Sequence, residues 1–308
     1  MVKEYPLIII GGGPAGLTAG IYAGRSQLKT LIIAEQPGGT IGYAHRVQNF
    51  PGFPEIGGLE LANRMVEHLQ KWPVELLIAR VGQIIKKDDG FLVTTDQNQE
   101  YRAEVLLLAL GTEKRKLGLP NEDRFLGRGL SYCALCDGQF FKNKTVAVGG
   151  GGDAAVTMAL YLAEMTNKVF LISLQPELNC SPSWHQAVKN QKKIELICDN
   201  QVTELIGSEN LSGIRLKNPY QQQTELPIDG LFVEIGSAPS TTLTEPLNLA
   251  TDSEGFIKIK ANGRTSQSGI WAAGDLTSGS NKLRQAITAA AEGAMAADDI
   301  YRYFKQKS

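Results

Sequence analysis

Two stretches of the chain repeat one hydrophobic rhythm. In the first, Tyr5 to Ile10 is an apolar run, GGGPAG (Gly11 to Gly16) interrupts it, Leu17 to Arg25 has helical spacing, and LKTLIIAE is a second apolar run. In the second, KTVAV (Lys144 to Val148) leads into GGGGDAAV, then a helical stretch from Thr157 to Glu164, then NKVFLIS. A short continuous apolar run suits a strand buried on both faces, and strand, glycine turn, helix, strand opens a doubly wound parallel sheet. The internal repeat predicts an α/β chain with two dinucleotide-binding (Rossmann-like) domains.

Between the repeats, VGQIIKKDDGFLVTTDQNQEYRAEVLLLALGTE alternates apolar and polar residues around an Asp89-Gly90 turn. This predicts an antiparallel excursion before an almost wholly apolar strand, Val105 to Leu110. After the second repeat, IRLKN and GLFVEIG read as short strands leading to GIWAAGDLTS, and an alanine-rich amphipathic helix runs from Gln285 to Phe304. With no low-complexity linker in view, hinges are expected near Thr112 to Arg115 and Ser237 to Thr241.

Composition narrows the class. At 308 residues, 43% of them hydrophobic and 20% charged, the chain has room for two ordinary domains with proper cores. Lys plus Arg (31) and Asp plus Glu (32) nearly cancel, so no basic surface calls for nucleic acid or an anionic membrane. The opening MVKEYPLIII is too short to span a bilayer and runs into a glycine turn instead of a cleavage site, which predicts a cytoplasmic protein without a transmembrane segment.

The first turn, Gly11-x-Gly13-x-x-Gly16 with Pro14 and Ala15 inside it, has the dinucleotide fingerprint between strand and helix. Gly11 permits the turn, Gly13 lets a pyrophosphate approach the backbone, and Gly16 allows close helix packing. Glu35, at the end of the next strand, is placed to accept bonds from ribose hydroxyls. A tight turn that binds nothing is the alternative. Further loops argue against it: PGGTIG, with Gly38, Gly39, Thr40 and Ile41; VQNFPG, with Asn49; Gly111; and AAGD, with Gly274 and Asp275.

SYCALCDG (Ser131 to Gly138) sets Cys133 and Cys136 two residues apart, close enough for a disulfide, with Asp137 adjacent as a candidate general acid or base. Zinc would need a second pair or nearby histidines; Cys180 and Cys198 form no second Cys-x-x-Cys, and His45, His68 and His185 are scattered, so no metal is expected. Two inert packed cysteines are the other reading, and Asp137 and the turn-forming Gly138 argue against it. Cys180 and Cys198 read as small buried hydrophobes.

Taken in order, GGGPAG, VQNFPG, CALCDG, GGGGDAA, GLFVEIG, AAGD and RQAITAAAEG give a chain that resembles the low-molecular-weight thioredoxin reductases along essentially its full length. The resemblance implies a flavin domain made of residues 1–113 and 244–308, an inserted NADPH-type domain, residues 114–243, carrying the cysteine pair, bound FAD, a homodimer and a thioredoxin-like or other dithiol/disulfide partner. By position, Gly11, Gly13, Gly16 and Glu35 would hold the adenosine and pyrophosphate, Gly38, Gly39, Thr40 and Asn49 would line the flavin, Asp275 would bind the ribityl chain, and Arg284, Gln285 and Ala286 would lie beside the pyrimidine edge. The resemblance also makes Cys136 the flavin-facing sulfur, Cys133 the interchange thiol and Asp137 the proton donor. Thr40 departs from the family's usual glutamine.

The second turn is intact in form, with Gly150, Gly152, Asp153, Ala154 and Ala155 as a second nucleotide site. The family follows this strand with a His-Arg-Arg run and a further arginine that grip a ribose 2′-phosphate; here Ser173, Leu174, Gln175 and Asn179 stand in those places. Charged hydrogen bonds are worth roughly 1.5 to 3 kcal/mol each, so losing three arginines costs on the order of 3 to 6 kcal/mol, or about 10² to 10⁴ in affinity. NADH is no obvious replacement, because its ribose wants a carboxylate at the strand end and Glu177 comes several residues late. The expected activity is therefore exchange of two electrons between FAD and the Cys133/Cys136 disulfide with a thiol partner and without NADPH, a second FAD occupying the vacated site as in the diflavin-linked branch. Trp184 and His185 are candidates to stack on that second ring, with simple packing as the alternative. An NADPH-dependent or ferredoxin-dependent thioredoxin reductase and a flavin-binding redox sensor are the competing readings.

Overall fold

The computed structural model describes residues 2–307. The chain divides into two compact units, one formed by residues up to Gly42, Arg46–Glu113 and Ala238 onward, the other by Tyr43–His45 and Lys114–Ser237.

The first unit begins with β1 (Lys3–Ile10), α1 (Pro14–Arg25), β2 (Thr30–Ala34), α2 (Gly58–Leu69), β3 (Val74–Ile78), β4 (Val81–Lys87), β5 (Gly90–Thr95) and β6 (Glu100–Leu108). The apolar ends of β1 and β6 run side by side, Ile8 opposite Leu106 and Ile10 opposite Leu108, and are sealed from water on both faces. Burial of this kind is the main favourable contribution to folding, about 1.5–3 kcal/mol for each large aliphatic side chain. β4 and β5 form the expected antiparallel excursion beside β6 around the turn before Gly90.

β7 (Thr112–Lys114) and β16 (Ser237–Pro239) lie where the chain passes from one unit to the other, and between them the second unit holds α3 (Glu122–Phe125), β8 (Leu130–Ser131), α4 (Ala134–Asp137), β9 (Thr145–Gly149), α5 (Asp153–Met165), β10 (Lys168–Ile172), α6 (Pro182–Asn190), β11 (Ile194–Ile197), β12 (Val202–Gly207), β13 (Leu211–Tyr220), β14 (Gln223–Pro227) and β15 (Gly230–Val233). Its main sheet has the order β11-β10-β9-β15-β8, all parallel, beside an antiparallel ribbon β12-β13-β14. The chain then returns to the first unit through β17 (Ile270–Ala272) and α7 (Ala286–Lys307). β17 joins β6, completing the sheet β3-β2-β1-β6-β5-β4.

α7 packs directly on α1. A side chain on Gly293 would come within 2.1 Å of the Ala15 carbonyl oxygen, so the alanine-rich face of α7 approaches the start of α1 at backbone distance. That contact brings the end of the chain back to the first glycine turn.

Candidate functional site

In the first unit the turn between β1 and α1 is held by sterics. Gly11 has φ +111°, and a side chain there would meet the Ala109 carbonyl oxygen at 2.1 Å. Gly13 differs: at φ −74° the nearest atom to an added Cβ is the Gly39 Cα, 4.0 Å away. Nothing in the fold excludes a side chain at Gly13, so the space it leaves is room for a ligand at the amino end of α1, where backbone N–H groups favour an anion.

Of the other sequence-predicted residues of this unit, Gly38, Gly39 and Gly274 adjoin that turn. The Gly38 amide donates to the Gly12 carbonyl at 2.7 Å, and a Cβ on Gly39 would lie 2.8 Å from the Gly13 Cα. Thr40 and Ile41 continue in the 3-10 turn Gly39–Tyr43. A Cβ on Gly274 would lie 2.9 Å from that of Ala15, so the Gly274-Asp275 loop borders the start of α1. Asn49 Nδ2 donates to Gln285 Oε1 at 2.9 Å across 236 residues of sequence, just ahead of Ala286 and α7. Glu35 stands exposed at the end of β2, 4.0 Å from Arg80. Gly111, with φ +68°, follows β6 and has open space where a side chain would go.

Asp275 and Arg284 carry the electrostatics. Burial raises the Asp275 carboxyl to about 6, offset in part by the Arg284 charge, with Glu292 pushing the same way as burial. Among the described residues no hydrogen-bond donor reaches Asp275. Arg284 sits over Phe256, its Cζ 3.7 Å from the ring centroid, and its Nε and Nη2 are buried without hydrogen-bond partners. Buried polar atoms are normally paired, so an orphaned fork of donors and a desolvated carboxylate in one cluster mark a place built for a further group.

Sequence reasoning missed the side chain that fixes this loop. Glu292, 5% exposed on α7, accepts from the Gly274 amide (2.8 Å), Thr277 Oγ1 (2.9 Å) and Ser280 Oγ (2.6 Å). A lone glutamate on an alanine-rich helix face was its one signal.

In the second unit Cys133 and Cys136 form a disulfide with Cα atoms 5.3 Å apart. Cys133 precedes α4 and is half-buried, whereas Cys136 is exposed; the Cys136 amide donates to Cys133 Sγ at 3.1 Å. Asp137 is half-buried and its Oδ2 accepts from Ser131 Oγ at 2.6 Å. The backbone just before the pair is anchored by Lys114, which donates to the Tyr132 carbonyl and pairs with Glu234. Burial pushes the Glu234 carboxyl up and the lysine opposes it.

The second glycine turn repeats the first. Gly150 has φ +141°, with the Glu234 carbonyl oxygen 2.1 Å from an added Cβ, and Gly152 starts α5 with nothing nearer than the Asn179 carbonyl oxygen at 3.8 Å. Asp153 Oδ1 is engaged by the Ser181 amide (2.7 Å) and hydroxyl (3.3 Å), Ala154 is exposed and Ala155 is buried. At the end of β10, Ser173 is 1% exposed, its amide and carbonyl bonded to Ile197 and Asn200 and its Oγ accepting from the Gln175 amide. The sequence holds no lysine or arginine between Lys168 and Lys189. Two carboxylates do stand there: Asp199 and Glu177 both add to the burial that raises the Cys198 thiol. Cys180 is likewise raised by burial and then by Asp153, so neither free cysteine is poised as a nucleophile. Trp184 is partly buried and packs against the core of this unit.

Two dinucleotide folds, one carrying a Cys-x-x-Cys disulfide beside a carboxylate, define a disulfide oxidoreductase. The chain matches the family described as pyridine nucleotide-disulphide oxidoreductase over residues 5–293. It is 36% identical to the thioredoxin reductase of Bacillus subtilis (strain 168), over 99% of this chain and 96% of that one. The thioredoxin reductase of Lactococcus lactis superposes with a TM-score of 0.93 at 34% identity, over 98% of this chain and 99% of that one. A ferredoxin-flavin thioredoxin reductase from Clostridium acetobutylicum gives a TM-score of 0.55 at 29% identity, over 99% and 100% of the two chains. The chain belongs to the pyridine nucleotide-disulphide oxidoreductase family and is a thioredoxin-reductase-like flavoprotein thiol-disulfide oxidoreductase.

The first unit fits the FAD that this family implies. The open glycine at the start of α1 leaves room for a pyrophosphate, Asp275 is an acceptor in want of hydroxyl donors, and the buried nitrogens of Arg284 are donors in want of acceptors.

Proposed function

We propose that this chain passes two electrons between bound FAD and the Cys133/Cys136 disulfide, and between that disulfide and a thioredoxin-like or other dithiol partner, without NADPH as donor. The flavin, when bound, supplies the two-electron redox centre. The chain's own residues do the rest. Gly11, Gly13, Pro14, Ala15 and Gly16 hold the pyrophosphate with Gly38 and Gly39; Glu35 takes ribose hydroxyls and Asp275 the ribityl hydroxyls; Asn49, Arg284, Gln285 and Ala286 border the ring. Cys133 is the interchange thiol and Cys136 the flavin-facing one. The amide of Cys136, aimed at Cys133 Sγ, supports this assignment, since a hydrogen bond to sulfur favours the thiolate that performs exchange. Asp137 holds or releases the proton that the leaving sulfur needs. A homodimer in the cytoplasm goes with the reading.

The observation that carries the exclusion of NADPH is the charge beyond β10. A ribose 2′-phosphate there would meet a buried serine and the carboxylates Glu177 and Asp199, and no lysine or arginine of the strand end. Like charges disfavour binding, modestly here because both carboxylates are exposed, while the open turn at Gly152 still offers backbone amides to a pyrophosphate lacking that ester. This supports a second FAD there.

A second reading, an NADPH-dependent thioredoxin reductase, is favoured by the intact Gly150–Ala155 turn and by full-length similarity to the thioredoxin reductase of Bacillus subtilis. The ferredoxin-flavin relative makes ferredoxin a third donor to test. Anaerobic mixing separates them. Flavin that stays oxidised at micromolar NADPH, with close to two flavins per chain, is the expected result; rapid bleaching by NADPH overturns the exclusion, and one flavin per chain reduced by ferredoxin selects the third donor.

A further inference from the structure

Ser131 lies two residues before Cys133, at the end of β8, and is 3% exposed. Its hydroxyl has three polar neighbours, the longest being the Cys133 carbonyl at 3.3 Å. It donates to Asp137 Oδ2 at 2.6 Å and accepts the Cys133 amide at 3.0 Å. The Asp137 amide in turn donates to the Cys133 carbonyl at 3.1 Å. One buried oxygen thus ties the carboxylate on the far side of the Cys-Ala-Leu-Cys turn to the backbone of its first cysteine.

We propose that Ser131 is a positioning residue for disulfide exchange, holding the Asp137 carboxylate in register with Cys133 so that proton transfer and sulfur displacement occur together. The inference rests on Asp137 being the proton donor. When a dithiol opens the disulfide, its thiolate attacks Cys133 Sγ, the Cys133–Cys136 bond breaks, and Cys136 leaves as a thiolate that takes a proton. The second sulfur of the dithiol then displaces Cys133, so the dithiol is oxidised by two electrons and both cysteines end as thiols. A carboxyl free to swing toward water serves those steps less often than one fixed at the turn. The tether is short and buried, and the hydroxyl's single proton is much nearer the Asp137 carboxylate than the Cys133 carbonyl.

The test is a double-mutant cycle on the flavin-loaded protein, reading the rate at which dithiothreitol opens the Cys133–Cys136 disulfide by alkylation and peptide mass spectrometry. Ser131→Ala and Asp137→Asn are each expected to slow opening by at least about tenfold, and the double variant to be no slower than Asp137→Asn alone. Ser131→Thr, which keeps the hydroxyl on a strand residue, is expected to restore the rate to within about threefold of the parent, the loss it leaves being small against that general acid–base factor. Additive losses in the double variant mean that Ser131 acts on the fold and not through Asp137, and overturn the proposal. So does an unchanged rate in Ser131→Ala while Asp137→Asn is slow, which leaves the reading of Asp137 intact. An unchanged rate in Asp137→Asn removes that reading and the proposal with it.

Discussion

Replacing Asp275 by asparagine separates what the loop costs the empty fold from what it gives the loaded one. The carboxyl is raised from 3.8 to about 6, chiefly by burial. A group whose folded pKa lies above its unfolded value favours folding while protonated in both states, and that advantage is lost as pH rises through the folded value. Between pH 3.8 and about 6, the flavin-free protein therefore loses on the order of 3 kcal/mol that a neutral side chain would keep. Asp275→Asn supplies a neutral side chain of nearly the same shape. Urea unfolding of flavin-stripped parent and variant at a series of pH values measures the difference directly, because every other titrating group is common to both. The two are expected to be nearly equal below about pH 4, with the variant gaining stability as pH rises and leading by up to roughly 3 kcal/mol above about pH 7. With FAD bound the order reverses, since ribityl hydroxyls can donate to a carboxylate, and flavin retention through gel filtration should fall in the variant. A stability difference that does not change with pH would refute the claim that a buried charge only partly offset by Arg284 sits there.

The two glycines of the first turn should answer differently. Gly16→Ala forces a Cβ to 2.0 Å from the Gly11 carbonyl oxygen and should lower the melting temperature of the flavin-free protein by many degrees, whereas Gly13→Ala should leave it within about 1 °C yet cut bound flavin, read from absorbance per chain. Lys114→Met leaves Glu234 buried without its cation, which breaks a pair of a kind worth about 3–5 kcal/mol. Adding Glu234→Gln should recover most of that loss in a urea midpoint, and failure to recover would mean that the lysine acts by packing alone.

The repeated architecture is legible because it depends on short-range rules. The apolar runs of β1, β9 and β10 need burial on both faces, and the glycine turns need a positive φ at their first residue, requirements written in consecutive residues. The edge strand β3 escaped, since VELLI is only half buried and its alternation is weak. Parts of the site escaped for another reason. Asn49 meets Gln285, and Glu292 gathers three donors from the Gly274–Ser280 loop, only because α7 returns to lie on α1. No local pattern encodes that return. Ser131 was hidden even at close range, because its partner Asp137 is brought to it by the single turn of α4 and a serine two residues before a cysteine has no periodicity to betray it.

The two glycine turns also show why the second nucleotide site is proposed to bind something other than NADPH instead of nothing. In each, the first glycine is closed by a carbonyl oxygen 2.1 Å from where its Cβ would be, and the middle glycine faces space, 4.0 Å at Gly13 and 3.8 Å at Gly152. The open middle glycine is thus the same in both units. They part at the end of the following strand. Glu35 stands exposed beside Arg80, while Ser173 is buried, its Oγ accepting from the Gln175 amide, near Glu177 and Asp199. A turn that had lost its ligand altogether would be free to accept a side chain at Gly152, where alanine costs the fold nothing and would relieve glycine's entropy by roughly 0.4–1 kcal/mol. An open glycine at the turn, with no basic side chain at the end of the following strand, fits the proposed occupant, a dinucleotide whose ribose carries no ester. Gly152→Ala therefore bears on the proposal directly: it should lower the flavin count per chain from near two to near one while the flavin of the first unit stays in place.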